Sequence, residues 1–175
     1  AAGGVDVRRY DDGARAFASR PPLTLPAHAG AALCMATAPC GHTVLVVTGG
    51  SDGRVVVWDG GGVAAAATAD SPSPPAPLAA LAGLHQSGVL ALAAATLPAG
   101  GGALVASGGD DQALALVWLD ARGAPAARAV LPAAHASAVR GVWTDGRELV
   151  SVGLDGELVG WRVGARGAPP VRAWA

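Results

Sequence analysis

A chain of 175 residues is long enough for one domain with a sizeable hydrophobic core, and its net charge of −1 gives no overall attraction to nucleic acid or to an anionic membrane. Alanine supplies much of the 51% hydrophobic fraction, so the core depends on valine, leucine and tryptophan. Charged and Ser-Pro-rich positions interrupt the apolar runs, which argues against a membrane-spanning helix, and Cys34 and Cys40 lack a paired motif and predict idle thiols in a reducing compartment.

Residues 1–27 carry weak signals for secondary structure. One strand pattern runs from Val5 to Tyr10, after which Asp-Asp-Gly and a Pro-Pro pair break the chain. We expect this segment to supply outer strands of a blade that precedes the rest of the fold.

Three later segments align with one another and carry the main structural signal. In each, a hydroxyl residue is followed four positions later by an aspartate, and six positions beyond the aspartate stands an apolar residue. Short β-branched or aliphatic runs flank the aspartate, and a glycine or glutamine comes directly after it, which is typical of a β-hairpin. The aligned sets are Thr48, Asp52 and Trp58; Ser107, Asp111 and Val117; and Ser151, Asp155 and Trp161.

A histidine precedes the second and third hairpins in the same way. His85 and His135 are each followed, four residues later, by a valine that begins another strand. His28 precedes the first hairpin, but its strand start has no valine at the fourth position, so it is only a candidate for the same role. The repeating unit is therefore a histidine loop, a strand, a hairpin and an expected fourth strand.

The spacing of the turn aspartates gives the period of the repeat. Asp52 and Asp111 are 59 residues apart, whereas Asp111 and Asp155 are 44 apart, and the longer interval contains a low-complexity insertion at 60–80. Without the insertion the period is about 40–45 residues. The predicted units are 28–83 with that insertion, 84–133 and 134–175.

This period, together with the pair Trp58-Asp59, resembles the WD-repeat family. The resemblance implies an all-β fold, a WD-repeat β-propeller in which four-stranded blades surround a central channel. The chain has about three such blades, and a closed ring requires at least about four. We therefore expect the blades to belong to a larger or open propeller, either as a fragment of a longer protein or by assembly with other chains.

The same resemblance implies a role for the aligned polar residues. In WD-repeat blades the loop histidine, the strand hydroxyl, the turn aspartate and the strand tryptophan form a buried hydrogen-bonded network. In the second unit Val117 occupies the tryptophan position, and because Trp118 is one residue late, we expect it to face the opposite side of the strand. The expected network residues are Thr48, Asp52 and Trp58 in the first unit; His85, Ser107 and Asp111 in the second; and His135, Ser151, Asp155 and Trp161 in the third.

Recurring serine, histidine and aspartate also allow a hydrolase interpretation. A catalytic triad is needed only once, however, whereas this spacing recurs from unit to unit, so we interpret the residues as structural. The glycine-rich turns lack the following helix and the Lys-Ser/Thr pair of a phosphate-binding loop. We therefore predict no enzyme activity, no cofactor and no metal site.

The remaining candidates for partner binding are side chains near the turns and an arginine. The candidate residues are Asp110, Gln112, Arg140 and Trp143. Arginine suits carboxylate and phosphate groups, and a scattered solvated surface is the alternative for Arg140. Trp143 lies on the first strand of the third unit, where it either packs between blades or forms an exposed contact.

Several phrases within residues 84–162 are more specific than the general repeat. They include His85-Gln-Ser-Gly-Val89, Ser107-Gly-Gly-Asp-Asp-Gln-Ala-Leu114 and the run 134–146, with a weaker echo at Asp6-Val-Arg-Arg-Tyr10. These phrases resemble the C-terminal blades of the WD repeat-containing protein 6 family.

The resemblance to that family implies a non-catalytic adaptor. Its members pair with an FtsJ-type, S-adenosylmethionine-dependent methyltransferase in 2′-O-methylation of the tRNA wobble nucleotide. Catalysis and cofactor would then reside on the partner, tRNA would be reached through the complex, no membrane would be involved, and the remaining propeller blades would lie in the full-length chain. We expect a cytoplasmic location. The alternative is a generic protein–protein interaction scaffold, such as a ligase substrate receptor, and a continuous basic stripe would distinguish the two.

Overall fold

The computed structural model describes residues 3–18, 22–70, 73–98 and 101–175, and the other positions of the predicted units lie outside the described residues. The described residues form sixteen β-strands and one helix. In chain order these are β1 (Gly3–Val7), β2 (Tyr10–Asp11), β3 (Ala16–Phe17), β4 (Leu23–His28), β5 (Ala32–Cys40), β6 (Thr43–Gly50), β7 (Val55–Asp59), α1 (Gly60–Thr68), β8 (Ala79–Leu81), β9 (Val89–Thr96), β10 (Ala103–Gly109), β11 (Leu114–Leu119), β12 (Pro125–Leu131), β13 (Val139–Thr144), β14 (Glu148–Gly153), β15 (Leu158–Arg162) and β16 (Val171–Trp174).

Three antiparallel sheets of four strands make up most of the molecule. Each consists of four consecutive strands paired in chain order, namely β5 to β8 in blade one, β9 to β12 in blade two and β13 to β16 in blade three. The fourth strands of the first two blades, β8 and β12, lie before the histidine loops of the next blade. This arrangement confirms the predicted all-β fold of four-stranded propeller blades.

The blades stack face to face, so the middle blade is apolar on both sides. Along β11, Val117 packs against blade one, whereas Leu116 and Trp118 pack against blade three. All six residues of β11 are buried, which explains an apolar run without the polar alternation of a half-exposed strand. Trp118 faces the opposite side from Val117, which confirms the prediction from register.

A two-stranded ribbon of β1 and β4 covers the face of blade one that points away from blade two. Leu23 and Leu25 of β4 pack on Val56 and Trp58 of β7. β4 runs directly into His28, at the place in the repeat that β8 and β12 occupy before the later histidines. The ribbon therefore stands where the last two strands of a preceding blade would stand.

The predicted strand from Val5 to Tyr10 is divided in the structure. β1 ends at Val7, and Tyr10 begins β2, which pairs only with β3 in a small hairpin. The Asp11 carboxylate closes the turn by accepting the backbone N–H of Ala14 at 3.0 Å. The hairpin therefore projects from the connection between β1 and β4 instead of extending the sheet.

The low-complexity insertion of blade one is partly helical, although no regular structure was predicted there. The Asp59 carboxylate caps α1 by accepting the backbone N–H of Gly61 at 3.1 Å, and the alanines that follow favour a helix. Val63 anchors the helix in the core, and β8 already begins at Ala79. Within the described ranges, no helix has the length and apolar character needed to cross a membrane.

The strand order places the connections at two opposite ends of the stack. At one end, each histidine loop is hydrogen-bonded to the turn between the second and third strands of its blade, through backbone bonds of 2.8–2.9 Å. We call this end the loop face. It comprises the histidine loops with the first residues of the strands that follow them (29–33, 86–90 and 136–140) and the turns at 51–54, 110–112 and 154–156. The other connections lie at the opposite end, which we call the base face.

One face of blade three has no covering sheet among the described residues. Trp143, Val152, Leu158 and Trp174 on this face are between 39% and 54% exposed. The register of β13, β14 and β15 places the first three on the side of the sheet opposite to Ser151. We call this side the open face, and Trp143 is exposed there instead of packing between the described blades.

Candidate interaction surface

Blade three contains a complete network of four side chains. The Trp161 indole N–H donates to Ser151 Oγ at 2.8 Å, and His135 Nε2 lies 2.8 Å from the same oxygen. His135 Nδ1 lies 3.0 Å from Asp155 Oδ2. Because an ionised carboxylate can only accept, Nδ1 donates, and the Ser151 hydroxyl then donates to Nε2. Each member of the network thus has a partner of the required polarity.

Blade one has the same four-membered network, and its histidine is His28. Nδ1 of this ring lies 3.1 Å from Asp52 Oδ1, and Nε2 lies 3.0 Å from Thr48 Oγ1. The Trp58 indole N–H donates to Thr48 Oγ1 at 3.4 Å. Ala32 replaces the valine that marks the later units, but it still begins β5 after the histidine loop, so the network forms without that signal.

Blade two has the histidine, hydroxyl and aspartate but lacks the tryptophan. His85 Nδ1 lies 2.9 Å from Asp111 Oδ1, and Nε2 lies 2.8 Å from Ser107 Oγ. Val117, only 1% exposed, stands in the tryptophan position within the core shared with blade one. Among the described side chains, Ser107 Oγ therefore receives no indole N–H.

The three turn aspartates are held by the same set of donors. Each carboxylate accepts the histidine ring N–H, the backbone N–H of the residue after the histidine, and the backbone N–H two residues beyond itself. Burial raises the pKa of Asp111, but the hydrogen bonds, led by that from His85, outweigh burial and hold the pKa below its ordinary value. The same balance lowers the pKa of Asp52, and the backbone N–H of Glu157 is the main cause of the lowered pKa of Asp155.

The networks are unsuited to nucleophilic catalysis. Ser107 and Ser151 are each 1% exposed, so a substrate carbonyl cannot approach either hydroxyl. Both ring nitrogens of each network histidine already have a partner within the fold. What the arrangement does is join a loop, a strand and a turn within each blade.

One group of potential metal ligands coincides with the network of blade three. His135, Asp155 and Glu157 each offer one ligand atom, and these atoms lie within 4.8 Å of one another. Both ring nitrogens of His135 are hydrogen-bonded, and Glu157 Oε2 lies 3.2 Å from the Arg172 guanidinium. A cation would have to displace these bonds, so the geometry favours the network over a metal centre.

Both cysteines are free thiols that donate to backbone carbonyls of blade two. Cys34 Sγ lies 3.3 Å from Val89 O, and Cys40 Sγ lies 3.2 Å from Asp120 O. Burial raises the pKa of Cys34 to about 11 and also raises the pKa of Cys40. Because the thiolate is the reactive and metal-binding form, neither cysteine is suited to those roles.

The loop face carries three of the four predicted partner-binding residues. Asp110 and Gln112 lie in the turn of blade two, Arg140 lies at the start of blade three, and all three are exposed. The Ser87 hydroxyl donates to Asp110 Oδ2 at 3.4 Å. Trp143 is not with them, since it lies on the open face of blade three.

Gln112 has a strained backbone conformation. Its φ is +68°, in the left-handed region that costs about 1–2 kcal/mol for a residue with a side chain. The equivalent turn positions are Gly53, with φ of +72°, and Gly156, with φ of +82°. The Gln112 carbonyl oxygen accepts the backbone N–H of Ala134 at 2.9 Å and so ties this turn to the loop of blade three.

The loop face has a further shared feature that was not predicted, although one of its three residues, Arg140, was a candidate for partner binding. The first strand of each blade has a register shift that sets aside one residue, and this residue is Leu33, Leu90 or Arg140. Such a β-bulge removes the residue from the strand ladder and re-aims its side chain. The constant offset of five residues from the preceding histidine is the signal in the sequence that could have identified all three.

Comparison with known proteins supports the fold. The family model for the WD domain, G-beta repeat matches residues 19–59, which include the whole network of blade one. No curated protein matches the chain. A solved structure described as "Structure of U3-55K" is similar with a TM-score of 0.60 at 15% sequence identity, over 89% of this chain and 42% of that chain. At this identity the likeness shows the fold alone, and the chain spans less than half the length of that structure.

Proposed function

We propose that this chain is a non-catalytic WD-repeat scaffold that binds a protein partner through the loop face of blades two and three. The main support for the proposal is the division of the polar side chains between the buried networks and the exposed loop face. The groups suited to chemistry are buried in the networks, whereas Asp110, Gln112 and Arg140 are exposed at the same end of adjoining blades. Arginine is enriched among the residues that dominate protein–protein binding energy.

The backbone of Gln112 supports a recognition role for its side chain. Among the described residues, the hydrogen bonds of Gln112 involve only its backbone N–H and carbonyl oxygen, which glycine would also provide. Gly53 and Gly156 occupy the equivalent positions of the other blades without strain. Strained residues concentrate at binding sites, where the side chain compensates for the cost. The exposed amide of Gln112, beside the Asp110 carboxylate, is therefore the centre of the proposed surface.

Within this scaffold role, the finer proposal is an adaptor for 2′-O-methylation of the tRNA wobble nucleotide. It is supported by the resemblance of residues 84–162 to the WD repeat-containing protein 6 family, because the resembling phrases include the loops of blades two and three. The partner would be an FtsJ-type methyltransferase that holds the cofactor and the catalytic groups. The net charge of −1 favours contact with tRNA through the complex over direct binding, and we place the complex in the cytoplasm.

We also propose that the remaining propeller blades of the full-length chain pack on the open face. Trp143, Val152, Leu158 and Trp174 expose apolar surface there, on the side of blade three that corresponds to the side of blade two covered by blade three. Contiguous apolar surface of this kind marks an interaction site. Trp143 would then become an inter-blade core residue in the complete protein.

The test of the finer proposal is affinity capture of the full-length protein from its own cells, with mass spectrometry of the bound proteins. In parallel, the protein is depleted and wobble 2′-O-methylation of tRNA is measured. Recovery of an FtsJ-type methyltransferase together with loss of the mark would support the adaptor role. Recovery of ubiquitin-ligase components with the mark intact would instead favour a generic scaffold such as a substrate receptor.

A further inference from the structure

The connection between the third and fourth strands of blade one is longer than its counterparts in the other blades. It covers residues 60–78 and contains α1, whereas the counterparts cover residues 120–124 in blade two and 163–170 in blade three. All three connections lie on the base face. A blade can therefore join its last two strands without the additional residues of blade one.

Residues 73–77 of this connection, which read Ser-Pro-Pro-Ala-Pro, lie between α1 and β8. They have neither helix nor strand conformation, and among the described residues they form no hydrogen bond. Proline fixes its own φ at about −65° and restricts the residue before it to extended conformations, and together these two effects apply to all five residues. They favour a polyproline II conformation, which has no internal hydrogen bonds.

The surroundings of the segment repeat every three residues, which is the number of residues per turn in polyproline II. Pro75 is only partly exposed. Leu78, three residues later, packs on blade two, since a Cβ at Gly123 would lie 2.8 Å from Leu78 Cδ1. One edge of the segment is therefore turned towards the protein. The residues on the other two edges are all exposed, namely Ser73, Pro74, Ala76 and Pro77.

The segment is fixed to blade one where it enters β8. The backbone N–H of Leu78 donates to the carbonyl oxygen of Val57 at 2.8 Å. The prolines remove further backbone freedom from the residues before this point. A stiff segment that is already held in place loses little conformational entropy when a partner binds it.

The exposed backbone of the segment is rich in hydrogen-bond acceptors. It has five carbonyl groups, but only Ser73 and Ala76 carry a backbone N–H, because proline has none. A complementary surface must therefore combine apolar area for the proline rings with N–H or O–H donors for the carbonyl groups. Tryptophan and tyrosine side chains provide both.

We propose that residues 73–77 are bound by a partner protein that recognises proline through an aromatic-lined groove, as SH3, WW and EVH1 domains do. The pairs Ser73-Pro74 and Ala76-Pro77 enter neighbouring pockets between the aromatic rings, and the donors of these rings bind the carbonyl groups of the segment. The edge with Pro75 stays turned towards this protein. The interaction goes beyond the proposed function, because it uses the base face and no residue of the loop face.

The experiment measures binding of the 175-residue chain to a broad panel of purified SH3, WW and EVH1 domains by biolayer interferometry. We expect at least one domain to bind the wild-type chain. Pro74→Ala and Pro77→Ala should each weaken this binding by about tenfold or more, because each removes a ring from the groove. A free Ser-Pro-Pro-Ala-Pro-Leu peptide should compete with the chain for the domain.

The matched control is Pro75→Ala, which also releases one fixed φ but leaves both outward edges unchanged, so it should weaken binding by about threefold or less. Thermal unfolding of every variant checks that the fold is retained. Absence of binding across the panel, or equal losses in the Pro75→Ala and Pro77→Ala variants, would overturn the proposal. Because none of these variants alters the loop face, such a failure would leave the proposed scaffold function untouched.

Discussion

The hydroxyl oxygen at the centre of the network accepts a tryptophan N–H in blade three but not in blade two. Ser151 joins Trp161 to His135, whereas Ser107 is bonded to His85 and, at 3.5 Å, to the carbonyl oxygen of Ala115. We therefore expect Ser151→Ala to lower the free energy of unfolding by about 1–3 kcal/mol, because it leaves two buried polar groups without a partner. Chemical denaturation of the purified chain measures the effect.

The matched control for this prediction is Ser107→Ala, which removes the same hydroxyl from a network with one fewer donor. Its cost should be clearly smaller than that of Ser151→Ala. A larger cost for Ser107→Ala would mean that the tryptophan bond contributes nothing to the stability of blade three.

Because the turn aspartates have lowered pKa values, we expect the fold to lose stability in acid. Hydrogen bonds lower the pKa of Asp52, Asp111 and Asp155 below the ordinary value of 3.8, and in all three they do so against the effect of burial. A carboxyl with a lowered folded pKa stabilises the fold fully above its unfolded pKa, and this contribution disappears as the pH falls through the folded pKa. The free energy of unfolding should therefore drop as the pH is lowered from about 5 to below 3.8.

Asp111→Asn should reduce stability at neutral pH and flatten this acid dependence. Asp110→Asn is the control, because Asp110 is the adjacent exposed carboxylate and accepts, from the described side chains, a single 3.4 Å bond from Ser87. If the two variants show the same acid profile, the network aspartate is not the source of the pH dependence.

The roles of individual residues could be predicted where the aligned repeats carry the same residue type at the same position. The spacing of hydroxyl, aspartate and tryptophan identified the members that the structure brings together in blade three, and the late position of Trp118 predicted which core it enters. The role of His28 could not be decided from sequence, because the valine after it is replaced by Ala32 while the loop still delivers the ring to Thr48 and Asp52. Side-chain convergence of this kind depends on the path of the loop, which a local pattern does not specify.

The turns that contain Gly53, Gln112 and Gly156 are equivalent elements of the three blades. Substitutions in them therefore allow the cost of backbone strain to be compared within one protein. Gln112→Gly should raise the free energy of unfolding by about 1 kcal/mol, because glycine adopts the positive φ without the steric cost. Gly156→Ala should cost about 1 kcal/mol, since a Cβ there meets nothing within 4 Å and only the strain is added. Gly53→Ala should cost more, because its Cβ would lie 2.7 Å from the carbonyl oxygen of His85. Urea unfolding of the three variants gives the comparison.

The order of the three changes in the free energy of unfolding tests whether strain alone distinguishes these turns. A destabilised Gln112→Gly variant would show that the glutamine side chain supports the fold, and the argument that it is kept for recognition would fail. Equal costs at Gly53 and Gly156 would indicate that the loop of blade two moves away from the added methyl group.

Elements inserted into the connections between paired strands were the part of the fold that sequence patterns missed. The strands β2 and β3 have two residues each, too few to show a period, and their pairing depends on the turn closed by Asp11. The alanine-rich segment that forms α1 was interpreted as low complexity, although a capping aspartate precedes it. The helix could not be recognised from its sequence pattern, because a run of alanines has no alternation of polar and apolar residues.

Across the whole molecule, the five tryptophans separate into a buried and an exposed class. Trp143 and Trp174 on the open face are 54% and 52% exposed, whereas the others are at most 6% exposed. Acrylamide should therefore quench part of the fluorescence of the 175-residue chain readily, and Trp143→Phe with Trp174→Phe should remove that part. If further blades cover the open face, the quenchable part should shrink in the full-length protein.

The matched control is Trp161→Phe, which should leave the quenchable part unchanged because this indole is buried between blades two and three. Should the double variant retain the readily quenched emission, the exposed class would have been assigned to the wrong residues.

The architecture as a whole was the most predictable level. A period of about 40–45 residues with a recurring hairpin is enough to identify four-stranded blades, because each unit buries its faces only against its neighbours. Ring closure is beyond the reach of the same reasoning. The ribbon of β1 and β4 and the open face of blade three each present a surface that another blade could complete, but the repeat does not specify which chain supplies it.

Binding of a protein partner by the loop face of blades two and three can be measured by paired affinity capture. Full-length protein carrying Asp110→Ala, Gln112→Gly and Arg140→Ala is compared with protein carrying Arg122→Ala and Arg166→Ala, two exposed residues of the base face. Bound proteins are quantified by mass spectrometry after equal retention of the fold has been checked by thermal unfolding. We expect the loop-face variant to recover about tenfold less of the main partner, or lower still, while the base-face variant retains it. Equal recovery of that partner by both variants would show that the loop face of blades two and three is not its binding site.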